Sequence, residues 1–288
     1  PQPTTLAAPM PASVLANSDL PEYMREEGPT GTELMREYIR PPQIRICQAM
    51  SPTEVKKVYG ETACYAAPSN SLILPAWKDG EPLPTVQFAA VFFYPEFIEW
   101  NPRGADKLNL PKIRSRTTDP NSDLANRCRS FDTKIRYYQC PEMQPDPLGK
   151  TLIQCQEHLN FIVCLLDHPE LAGVPMLMSF SRGSHKDGKK FIELVRMRRN
   201  AKIYGLMFDL SIGERQNKNG DVYYGFDIRS TVTADCRAAF VTEEWYNWLK
   251  ERHGEMDADY QAGLLQASYD DAEETEPQPQ PQPQPQRF

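Results

Sequence analysis

Alternation of apolar and polar positions begins directly after Pro41-Pro42. Ile44-Arg45-Ile46-Cys47-Gln48 reads as a first strand in period two. Ser71-Leu72-Ile73-Leu74 makes a second, and Val86 to Tyr94 a third that is apolar on both faces, as a covered strand is. Phe97 to Trp100 continues it beyond Pro95, where a bulge or bend is expected. Strands resume at Glu157–Leu166 and Val174–Phe180. From Ser184 to Arg199, Phe191, Leu194 and Val195 recur at helical spacing among bases, which predicts an amphipathic basic helix. Ile203–Ile212 and Asp221–Ile228 flank Asn217-Lys218-Asn219-Gly220, whose Asn-Gly step predicts a hairpin. Thr242 to His253 forms a last helix, with Thr242 as N-cap, Glu243 and Glu244 in the first turn, and Gly254 as its stop.

Three stretches lack periodicity. Residues 1–40 form a largely irregular arm rich in Pro, Thr, Ala and Glu, although Leu20 to Tyr38 has the makings of a short helix. Residues 101–149, dominated by Pro, Arg, Asp and Asn, read as a long excursion on the core with one helical turn at Asp123–Arg129. Long ordered loops in compact domains are usually functional. Residues 255–288 run from an acidic stretch into Pro-Gln repeats, which cannot build a core and are expected to be disordered. A core over 41–254 follows. Its short strands, interior helix and terminal helix predict a mainly β fold with added helices (α+β). The expected form is an OB-like five-stranded antiparallel barrel with long insertions and disordered ends. A β-sandwich with helical additions is the alternative.

Charge sharpens this division. Residues 255–288 carry eight acids against one base, Arg287. Removing them from the chain's 39 acids and 32 bases leaves 31 of each, so the remainder is formally neutral. Within it, residues 103–202 hold 18 bases and 11 acids. A basic middle with an acidic tail suits a protein that binds a polyanion and regulates access to it. No apolar run approaches the roughly 18–20 residues that cross a bilayer, so no membrane span is expected. Pro1 to Pro11 lacks the layout of a secretory signal. Seven scattered cysteines then read as reduced, buried small hydrophobes in a cytoplasmic protein.

Motifs for catalysis are missing: there is no His-Glu-x-x-His, Gly-x-Ser-x-Gly, phosphate-cradling Gly-Lys-Ser/Thr loop or Gly-x-Gly-x-x-Gly. The nearest zinc constellation is Cys128, Cys140, Cys155 and His158. No Cys-x-x-Cys supports it, and a strand sends Cys155 and His158 to opposite faces. Asp209, Glu214, Asp221 and Asp227 flank the hairpin and read more readily as solvated charges than as a nuclease site. No cofactor and no enzymatic activity are expected.

Basic and aromatic residues are the stronger signal, because phosphate contacts and ring stacking together hold unpaired nucleic acid. Phe92, Phe93, Tyr94, Phe97, Trp100 and Arg103 lead into Lys112, Arg114 and Arg116. Arg127, Arg129, Lys134 and Arg136 run up to Tyr137 and Tyr138. Arg182, Lys186, Lys189, Lys190, Arg196, Arg198 and Arg199 decorate one loop and helix. Alternation sends half of the first aromatic cluster into the core, and a basic helix face taken singly is usually just solvated.

Several segments resemble phage-encoded single-stranded DNA-binding proteins built on an OB fold. They are Pro42 to Val55, Phe92 to Gly104, Ser179 to Gly183 and Tyr223 to Ile228, and the resemblance covers roughly 41–230. It implies coating and protection of unpaired DNA in replication and recombination, with Phe93, Trp100, Arg103 and Arg182 as contacts. It also implies replication or recombination partners recruited through the C-terminal tip at Phe288. Pro-Gln repeats and Arg287 stand where that family places acids before the terminal Phe. A strand-annealing mediator forming homo-oligomers, and a virion or accessory structural protein, are the alternatives.

Overall fold

The computed structural model describes residues 41–265 apart from 49–50, 52, 61, 68, 79–80, 103, 130–134, 199–200, 217–219 and 221. The N-terminal arm, the acidic tail, Arg103, Lys134, Arg199 and Phe288 therefore lie outside the described residues.

The elements in chain order are β1 (Gln43–Ile46), α1 (Thr53–Tyr59), β2 (Cys64–Ala67), β3 (Ser71–Leu74), β4 (Ala76–Lys78), β5 (Glu81–Leu83) and β6 (Val86–Trp100). There follow β7 (Ile113–Thr117), α2 (Asp123–Cys128), β8 (Ile135–Gln139), β9 (Leu152–Leu165) and β10 (Pro175–Phe180). The last are α3 (His185–Arg196), β11 (Phe208–Gln216), β12 (Val222–Ser230) and α4 (Glu243–Gln261).

Long antiparallel pairing of β6 with β9 is the spine, running from Phe88 opposite Leu165 to Trp100 opposite Gln154. Pro95 is tolerated because it falls between the stretch of β6 that pairs with β11 and the stretch that pairs with β7. Around this spine the strand order is β12-β11-β6-β9-β10-β1-β2-β3, with β7 on β6 and β8 on β9, ten strands in all. The β1–β10 pairing is parallel, so the sheet is mixed.

The sheet curls into a half-barrel. At its seam the Gln48 side chain does the work of a ladder residue. Its Nε2 donates to the Tyr224 carbonyl at 2.6 Å, and its Oε1 accepts from the Tyr224 N–H at 3.1 Å. Helix α3 fills the concave side. Phe191 meets Phe88, Phe161 and Phe208 at ring distances of 5.7, 4.5 and 4.9 Å. Helix α4 covers the other face through Trp245 and Leu249, packed with Ala89, Val91, Ile162 and Cys164. His253 Nδ1 donates to the Val91 carbonyl at 2.8 Å.

Mainly β with added helices is the observed class, but the sheet differs from a five-stranded antiparallel barrel in strand number and in its one parallel pairing. The 101–149 stretch is no excursion from the core: β7 and β8 widen the sheet at the far end of the spine. Both are short edge strands of five residues that the surrounding Pro and Asp concealed. Thr242 caps α4, accepting from the Trp245 N–H. The helix then runs through Gly254 to Gln261, because Met256 and Tyr260 still find apolar partners and Leu265 is buried beyond them. Packing there outweighs the roughly 1 kcal/mol helix penalty of one glycine. The ordered core thus extends past 254. The strand expected at Ile203–Ile212 instead starts at Phe208, after a 3₁₀ turn at Ile203–Gly205.

Helix α3 approaches β10 at Gly188, where an added Cβ would lie 2.7 Å from Phe180 Cβ and 3.1 Å from Leu159 Cδ1. Gly188→Ala is expected to lower stability by about 1–3 kcal/mol, despite alanine's better helix propensity. Urea unfolding measures this, and a neutral or stabilising effect would contradict the packing.

Candidate nucleic-acid interface

The second half of the spine carries polar residues into the interior. Glu96, Gln156 and Asn160 are fully buried or nearly so, and Glu99 is 3% exposed. An ionised carboxylate survives such burial only when paired and hydrogen-bonded. The neighbouring strands supply those partners. Arg116 on β7 donates Nε to Glu96 Oε1 at 2.9 Å, and Asn160 donates to Glu96 Oε2 at 3.1 Å. Glu99 accepts from Ser115, Tyr138 and Arg127, the last at 3.1 Å. Burial alone raises the Glu99 carboxyl pKa, but those three donors outweigh it and hold the pKa below its ordinary value. The same bond and burial push the Tyr138 phenol up to about 12. Arg114 grips Glu142 bidentately at 2.9 Å and holds that exposed carboxyl down at about 2.

Arg114, Arg116, Arg127 and Tyr138 are therefore positioned by carboxylates, and the expectation that they are free groups is corrected, while the Arg127 side chain stays 55% exposed. Tyr94 is also corrected. It is 1% exposed beneath α4, with its ring 6.0 Å from that of Tyr260. Phe93 is half-buried against Phe161 at 4.8 Å and packs on the main core. Glu96 and Glu99 were legible as a warning: two acids inside an otherwise apolar strand require cationic partners.

The remaining cations behave differently. Arg129, Arg136, Arg182, Lys186, Lys189, Lys190, Arg196 and Arg198 are all exposed, and among the described residues none forms an ion pair within 4.0 Å. Lys186, Lys189 and Lys190 lie on the outer side of α3, whose inner residues His185, Gly188 and Phe191 are buried. Arg129 stacks on the Phe97 ring at 5.2 Å. Glu157, the register partner of Phe97, bonds His185 at 3.0 Å and feels the charges of Lys189 and Arg129. The end of α2 and the start of α3 thus meet across the spine at Phe97 and Glu157. Arg136 sits one strand over, opposite Cys155.

On the opposite face Arg182 donates to Gln156 and Gln154 at 3.2 and 3.4 Å. Its φ of 48° places a side-chain-bearing residue in the left-handed region, which persists only where surroundings impose it. Gln154 pairs in register with Trp100 and with the half-exposed Tyr137. Lys112 Nζ lies 6.0 Å from the Trp100 ring centre, a cation–π arrangement.

The cysteine expectation changes most. Cys128 and Cys155 form a disulfide, with Cα atoms 4.7 Å apart at a separation suited to bridging. Oxidised sulfurs are not thiolate ligands, so the zinc constellation is corrected. Cys140 bonds Glu142 instead, and burial holds His158 neutral with a pKa of about 3. Cys47, Cys64, Cys140 and Cys164 are buried thiols, while Cys236 is exposed. Of the hairpin acids, Asp209 accepts from Thr231 and Asp227 pairs with Arg229. Among the described residues no three metal-ligating groups converge, and no helix is long and apolar enough to cross a membrane.

Removing Arg116 leaves Glu96 charged in the interior. Arg116→Ala is expected to destabilise the fold by about 3 kcal/mol, while Lys189→Ala changes stability by less than about 0.5 kcal/mol. Chemical denaturation of both variants separates structural cations from surface ones. The unfolded chain protonates His158 near pH 6.5 and the folded chain only near 3, so this residue removes stability as pH falls through that window. The melting temperature of His158→Gln is expected to fall less steeply than wild type between pH 7 and 5, as read by calorimetry.

A family described as Pam3 phage gp34-like protein matches residues 13–256, most of the chain. The chain belongs to that family, which makes it a phage protein. No curated protein and no solved structure matches it.

Proposed function

We propose that this member of the Pam3 phage gp34-like family is a non-enzymatic, sequence-independent single-stranded DNA-binding protein acting in phage replication and recombination. The observation that carries the reading is the set of exposed, unpaired cations on α3, with Arg129 and Arg136 near them on one face of the spine and Arg182 on the opposite face. Cations that no carboxylate neutralises are available to phosphates, and each phosphate bound releases counterions. Trp100 and Tyr137 supply partly exposed rings for stacking near Arg182. The half-barrel is the element we read as the OB-like platform. The acidic tail competes for the cationic surface, and its terminal Phe288 recruits replication or recombination proteins.

Full-length protein is expected to bind oligo-dT with affinity that falls steeply between 50 and 200 mM salt, as about 3–6 phosphate contacts imply. Fluorescence anisotropy with single- and double-stranded oligonucleotides measures this. Lys186→Glu/Lys189→Glu/Lys190→Glu is expected to weaken binding at least tenfold. A chain ending at Leu265 should bind more tightly at low salt, and that boundary keeps α4 whole. Salt-independent binding, or wild-type affinity in the triple variant, would sink the reading.

A further inference from the structure

We propose that the Cys128–Cys155 bond is a redox latch on this interface: oxidised, it holds the cations around α2 in place, and a low-molecular-weight thiol releases them. The latch rests on the nucleic-acid reading above and adds its regulation. The bond joins the last residue of α2 to β9, 27 residues further along the chain. Little else fastens α2. The buried apolar cluster beneath it consists of Phe97, Leu124, Ala125 and the two cysteines, with Tyr138 against its edge. A six-residue helix has no stability of its own and depends on such contacts.

The bond lies among the candidate site's cations. Arg127 and Arg129 flank Cys128, and Arg136 stands opposite Cys155 in the β8–β9 register. Gln154 and Gln156, on either side of Cys155, hold Arg182. One covalent link therefore ties α2 to the strand on which these contacts are built.

Reduction is a two-electron exchange. A thiolate of the reagent attacks one sulfur, the Sγ–Sγ bond breaks, and a mixed disulfide forms. A second reagent thiol displaces the protein sulfur; Cys128 and Cys155 end as two protonated thiols and the reagent as its disulfide. Both sulfurs are buried, so exchange follows local opening of α2. Once reduced, α2 is held by Leu124, Ala125 and the Arg127–Glu99 pair, and its cations must be ordered anew whenever a strand binds.

Three measurements on the full chain test this. Purified without reductant and denatured, the protein should titrate five of its seven cysteines as free thiols; seven would overturn the latch. Oligo-dT affinity should fall roughly three- to tenfold on adding dithiothreitol, the loss of about one ordered phosphate contact. Cys128→Ser/Cys155→Ser should match the reduced affinity and ignore reductant, while Cys140→Ser should respond as wild type does. Equal affinity in both redox states overturns the proposal. If neither form binds oligo-dT, the nucleic-acid reading fails on its own. Hydrogen exchange across 123–129 then still reads the latch: faster exchange on reduction supports it, and unchanged exchange refutes it.

Discussion

Everything in this structure is arranged around carrying two carboxylates through the middle of a sheet. The pairing of β6 with β9 is long enough to serve both an apolar half-barrel and a polar extension, and Glu96 and Glu99 mark the crossover. A buried carboxylate is unfavourable unless donors surround it, so β7, α2 and β8 must dock where their Arg116, Arg127 and Tyr138 can reach. The register of the far sheet is thereby tied to electrostatics, while that of the near sheet is tied to phenylalanine packing. The two halves share one ribbon but are specified by different physics.

That constraint divides the basic surplus of the middle third. Arginines that balance internal carboxylates hold the extension together, Arg116 with Glu96 and Arg127 with Glu99. Lysines and arginines on α3 and beside α2 have no such duty, and Arg129 and Lys189 come close enough to act on Glu157 from the two helices. A polyanion surface is therefore supported by fewer side chains than the charge count suggests, but by ones that are concentrated and exposed. The aromatic residues divide in the same way. Tyr94 and Phe93 build the core, whereas Trp100 and Tyr137 stay near the polar extension.

Helix α3 links the two regions. Its inner side inserts Phe191 into the half-barrel and brings Gly188 against β10, and its outer side presents the lysines. The core that fixes the helix therefore also fixes the spacing of the charges. The disulfide performs the corresponding task for α2, which lacks the apolar surface to do it by packing alone.

Local pattern determined much of this protein. Period-two alternation located β1, short apolar runs located β3, the first half of β6 and β10, and an Asn-Gly step located the hairpin; helical spacing and capping located α3 and the start of α4. These features depend on residues near in sequence, so a short window contains the information. Tertiary structure decided what depends on distant partners. Cys64 to Ala67 became a strand because two neighbours pair with it, and α4 passed Gly254 because Met256 and Tyr260 found the far side of the sheet. Cys128 met Cys155 only because α2 packs on β9, and Arg114, Arg116 and Arg127 paired with acids distant in the chain. Sequence counts charges, but which charges neutralise one another is set by the pairing of strands, and that pairing is a long-range property of the folded chain.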